Sequence, residues 1–169
     1  AILAETIFTD HGRGRLPYFD MHFRSLLLED KKFSYQNAKL LSYKNFYPGH
    51  YHLGYFLLTN IIRKHGYETL NKTLSRYSWF PYNPYSFSNN LKRFTGNNCG
   101  QTFQQTMVEL DSIWENNQAK RIIIEPDYIH SNQKPTWTNY YNPYLAENGS
   151  IIAIKSGLNH AGSVVLFDN

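Results

Sequence analysis

Two histidines one residue apart, in "YPGHYHLGYFLLTNIIRKHG" (residues 47–66), have the type and spacing that first suggest chemistry. On a strand, positions i and i+2 point the same way, so His50 and His52 could share a metal ion. On a helix they lie ~200° apart and cannot both face one ion. The residues that follow decide between the two. Leu53, Phe56, Leu57 and Ile61 recur at the i, i+3, i+4, i+8 spacing of one buried helical stripe, with Arg63 and Lys64 in the last turn. The pair is therefore expected at the start of a helix and not as joint ligands.

"GRGR", residues 12–15, has the look of a phosphate-cradling loop. It lacks the third glycine at the right offset, and Leu16-Pro17 follows where a helix should start. The plainer expectation is a turn whose Arg13 and Arg15 pair with Asp10, Asp20 or Glu5. Anion binding stays open, since guanidinium groups on a glycine-rich turn suit carboxylate recognition. Cys99 makes no CxxC motif and reads as a small packing residue. The seven histidines form no HExxH, and no serine sits in a GxSxG elbow. The residues alone give no complete catalytic constellation.

The elements that must position these groups fall into two textures. Residues 1–120 read as mainly helical. "FDMHFRSLLLED" has Asp20 as a candidate N-cap, and "SYQNAKLLSY" is a shorter helix. Gly66 stands where a left-handed C-cap should close the long helix, with "YETLNKTLSRYSWF" as a separate helix ended by Pro81. "NPYSFSNNLKRFTG" ends at Gly96, and Asn98 with Gln101 resembles a capping box for a helix carrying Phe103, Met107, Leu110 and Trp114 on one face. Residues 121–135 read as a linker. From 136 to 169 the chain turns β-branched and aromatic, with "SIIAIKS" and "SVVLFDN" as a hairpin and "ENG" as a tight turn. The expected class is α+β, a helical domain followed by antiparallel strands.

Composition excludes some functions. Charged residues are only 18% against 17% aromatics, and the net charge of +4 comes from scattered Lys and Arg rather than from a basic block. That pattern argues against a nucleic-acid partner. No apolar run reaches the ~20 residues of a membrane span. The chain opens on "AILAETIFTD" without Met and stops inside a strand-like run, so it reads as a piece of a longer protein. A hairpin plus one strand buries its faces poorly, which suggests a β repeat that continues.

The succession "AETIFTDHGRGRLPYFDMHFRSLLLED", "YKNFYPGHYHLGYFLLTNIIRKHG", "LKRFTG" and "TNYYNPYLAENGSIIAIKSGL" resembles secreted proteins in which a gluzincin-type zinc-peptidase-like domain precedes a TolB-like β-propeller. The resemblance covers nearly the whole chain. It implies that residues 1–120 are the C-terminal part of the peptidase-like domain and that 136–169 begin the first propeller blade. Gluzincins place their third zinc ligand in a pattern close to E-G-x-A-x-x-x-E. "AILAE" is similar to its end, which implies a ligand three positions before Ala1 and an HExxH further upstream. Zinc would belong to the parent protein, with none held by this chain. Glu5 would stand two turns past the ligand as an acid behind the metal, or would simply pair with Arg13 or Arg15.

Related aminopeptidases carry Y-x-K-G at a helix start, where the tyrosine hydroxyl stabilises the tetrahedral oxyanion. "YHLG" is similar, with Tyr51 and Gly54 in frame and Leu53 where Lys is usual. The resemblance makes Tyr51 the catalytic candidate with His50 flanking the cleft, and it turns His52 elsewhere. Gly54 would let the helix approach a neighbour closely. The implied partner is a protein or peptide, and the implied address is extracytoplasmic: periplasmic, outer-membrane-associated or secreted. A non-catalytic scaffold or binding module is the alternative, kept open by Leu53.

Overall fold

The computed structural model describes residues 2–42, 45, 47–79, 82–122, 124 and 137–168. The fold is α+β, mainly helical and followed by an antiparallel sheet. The described chain forms two compact units, one running to Arg121 and one containing the strands. The expected linker, 121–135, lies almost wholly outside the described residues, as does Pro81.

In the helical unit, α1 (Ile2–Phe8) leads through a single 3-10 turn (Arg13–Arg15) to α2 (Met21–Leu28) and α3 (Tyr35–Leu40). Asp20 precedes α2, but its backbone is already helical (φ −87°, ψ −13°) and its side chain caps nothing. An N-cap needs extended backbone to turn its oxygen onto the first turn's N–H groups, so the expected cap fails. Ser34 has that geometry at α3, where Oγ accepts from the Asn37 N–H.

Helix α4 runs from His50 to Trp79. The expected break at Gly66 is present, with φ 78° and ψ 165°, but the residue is not in the left-handed helical well of a C-cap. Its backbone kinks, and the helix resumes at once. The two helices read in the sequence are present, meeting directly at the non-helical Gly66. Helix α5 (Ser86–Thr95) ends on Gly96 in the left-handed region. Helix α6 (Cys99–Ala119) starts with the full capping box of Asn98 and Gln101.

These helices enclose two apolar clusters. The larger joins Phe23, Ala38, Leu53, Leu57, Phe103, Met107 and Trp114. The smaller joins Ile61, Leu70, Leu91 and Cys99. The stripe read along α4 is thus divided between both. Glu109 of α6 ties the outer face of α4 by accepting from Asn60 Nδ2 at 3.0 Å and pairing with Lys64 at 3.2 Å and with Arg63. Partial desolvation pushes its carboxyl up, but these donors hold it below the usual range.

The second unit is an antiparallel meander of β1 (Thr138–Leu145), β2 (Ile151–Gly157) and β3 (His160–Phe167), in that spatial order. The β1–β2 turn uses Gly149 at φ 84° in the expected "ENG". β1 carries Pro143 and a register shift between Tyr141 and Tyr144, as suits an edge strand whose proline cannot donate to a ladder. Across the ladder, Tyr141 and Tyr144 oppose Ile154 and Ile152, which oppose Val164 and Leu166. All six side chains are exposed. Such a contiguous apolar face is unusual for an uncovered surface.

Candidate functional site

Four of the five residues singled out in the sequence meet where α1, the 3-10 turn and the first turn of α4 converge; the fifth, Arg15, lies beside them. The turn folds against α1 because its glycines permit it. A Cβ on Gly12 would lie 2.3 Å from the Thr6 Cα, and one on Gly14 would lie 2.5 Å from the Tyr55 ring. Thr6 Oγ1 accepts from the Gly14 N–H at 3.1 Å and donates to the Ile2 carbonyl at 2.8 Å.

This docking brings Arg13 onto Glu5. Arg13 Nε donates to Glu5 Oε2 at 3.0 Å, a guanidinium nitrogen lies 2.9 Å from the same oxygen, and the Arg13 backbone N–H donates to Oε1 at 3.1 Å. Its side-chain hydrogen bonds, then its backbone one, hold the Glu5 carboxyl below its ordinary value, and Glu5 raises Arg13 in turn. Arg15 turns to the Thr6 carbonyl at 3.0 Å rather than to a carboxylate. The GRGR segment acts as a clasp on α1.

The guanidinium of Arg13 also sits 5.9 Å from the centre of the Tyr51 ring, at cation–π range. Tyr51 is 54% exposed, so its phenol reaches solvent beside the Glu5–Arg13 pair. The His50 ring lies 4.5 Å from that of Tyr51. An acid, a guanidinium and a phenol thus share one small surface, with the imidazole against the phenol ring. Such a cluster can orient and donate to an anionic or carbonyl oxygen.

His52 leaves this surface. Its ring stacks on Phe19 at 4.3 Å, with Phe23 and His22 each at 6.4 Å. Both its ring nitrogens are buried without a hydrogen-bond partner among the described residues. Burial first, and then His22, push its pKa below the usual value. Sequence periodicity separated the two histidines correctly, but the aromatic shelf under His52 comes from Phe19, far off in the chain.

Gly54 does not serve the close approach expected of it, since a Cβ there would meet nothing within 4 Å. Leu53, in the lysine position of Y-x-K-G, is buried in the core. No group of three or more His, Cys, Asp or Glu that could hold a metal occurs among the described residues. No family model, no curated protein and no solved structure matches the chain.

Proposed function

We propose that this chain is part of an extracytoplasmic zinc-metallopeptidase-like protein with a β-propeller, whose metal ligands lie outside these residues. The observation that carries the reading is the meeting of Glu5, Arg13 and Tyr51, which the sequence keeps up to 46 positions apart, on one exposed surface, with His50 against the Tyr51 ring. Tyr51 supplies a phenolic donor at a helix start, where an O–H aimed at a developing oxyanion lowers the barrier. Arg13 holds the ring in place, and Glu5 holds Arg13. The meander with an uncovered apolar face supports a blade that further strands would cover.

The test is hydrolysis of a peptide substrate by protein expressed from the full reading frame. Tyr51→Phe keeps the ring and its arginine contact but removes the donor. It should lower kcat by about a hundredfold with KM little changed. Equal kcat in the two proteins would remove Tyr51 from the reaction. The buried Leu53 favours a second reading, a non-catalytic peptidase-like scaffold or binding module, because no lysine can stand at that position without entering the core. A full-length protein that neither binds zinc nor cleaves peptides would establish it. No helix among the described residues is long and apolar enough to cross a membrane.

A further inference from the structure

Between the two apolar clusters of the helical unit lies a cavity of about 270 Å³. Its wall is aliphatic, with Leu57 and Ile61 of α4 and Leu91 of α5 among the residues that line it. Tyr35 and Cys99 supply its polar interior, and burial, then the neighbouring thiol, pushes the tyrosine up to about 12. The pocket opens to solvent on one side, so it is a cleft that a ligand can enter.

One wall is bare because of Gly54. Glycine inside a helix costs about 1 kcal/mol relative to alanine and usually has a local reason. Gly66 and Gly96 have positive φ, and Gly12 and Gly14 accept close neighbours. Gly54 has neither reason: its φ is not positive and a Cβ there meets nothing within 4 Å. What its missing side chain does is keep the cavity open.

The cavity rim is basic. Lys39 and His50 line it and are exposed, and no Asp or Glu among the described residues does so. An apolar body with a lysine and an imidazole at its mouth selects an apolar body with an anionic end. We propose that this cavity binds a monocarboxylate whose aliphatic body fills the space beside Gly54 and whose carboxylate meets Lys39 and His50. A cationic amphiphile would be repelled at the mouth, and a compact polar anion would leave the apolar wall unfilled. This pocket lies wholly in the helical unit; it shares His50 with the proposed peptidase surface but needs neither zinc nor peptide cleavage.

The experiment is calorimetric titration of the chain with octanoate near neutral pH, with octanamide as the uncharged comparator. Saturable binding of one octanoate per chain is expected, about tenfold tighter than octanamide, a difference of about 1.4 kcal/mol. Gly54→Leu fills the cavity and favours the helix, and should weaken octanoate by about tenfold or more. Lys39→Gln should weaken octanoate several-fold and leave octanamide unchanged. Backbone amide NMR shifts on adding octanoate should centre on Gly54, Leu57 and Cys99, a readout that survives a Gly54→Leu variant that does not fold. Absence of saturable binding, equal affinity for the amide, a Gly54→Leu variant that binds normally, or shifts centred elsewhere would each overturn the proposal.

Discussion

His52 places an imidazole where its charged form has no support. With its nitrogens buried and its ring on Phe19, the fold favours neutral histidine and the pKa falls below the unfolded value of 6.5. The unfolded chain then binds the proton more readily. Stability from this site is therefore fully present above about pH 6.5 and declines as pH falls through and below that value, levelling once the folded histidine protonates. The urea midpoint should drop between about pH 7 and about pH 5. His52→Phe, which keeps a stacked ring, should shrink that drop; a drop of unchanged size would contradict the account. His22, also lowered by burial, contributes in the same direction.

The clasp at the candidate site makes a second prediction at this scale. Gly12→Ala puts a methyl group against the backbone of Thr6, where nothing can yield cheaply. It should cost about 1–3 kcal/mol in chemical denaturation, as overpacking does. The Glu5–Arg13 pair itself is exposed, so Glu5→Gln should leave the midpoint almost unmoved. A large loss from Glu5→Gln would mean that the pair, and not the fit of the glycine turn, holds the clasp.

At the scale of elements, α4 carries two glycines with opposite meanings. Gly54→Ala adds a methyl group to open space in a helix and should stabilise by about 0.5–1 kcal/mol. Gly66→Ala forces a side chain onto a positive φ and should destabilise by about 1 kcal/mol or more. Equal effects of the two in thermal unfolding would contradict the kink. Local signals were readable here. The capping box of α6 was legible because Asn98 and Gln101 act within one turn, and Gly66 and Gly96 were legible as breaks. What was not readable is that the second helix starts directly after Gly66 without a loop, since Gly66 is not in the left-handed well of a C-cap. Asp20 misled for a similar reason, since the turn before it had already fixed its backbone. The Glu5–Arg13 pair was foreseeable among three acids, whereas the Arg13–Tyr51 contact spans the turn and the long helix and has no sequence signal. The cavity was invisible for the same cause, because only the packing of α3 to α6 creates it.

For the whole molecule, the exposed apolar face of the sheet is where the proposed propeller can be tested. Ile154→Lys with Val164→Glu would place opposite charges at paired positions on that face. In the present chain, where both residues are exposed, the double change should alter stability by no more than about 0.5 kcal/mol. In the protein from the full reading frame, where a propeller would cover the face, the same change should cost about 3 kcal/mol or more. Equal, small effects in both would mean that nothing packs there. The zinc-peptidase reading makes a demand at the opposite end, and the coding sequence immediately upstream of Ala1 tests it most directly. An HExxH followed by a glutamate three positions before Ala1 is the expected result. An open frame without those residues would contradict it and leave a binding scaffold.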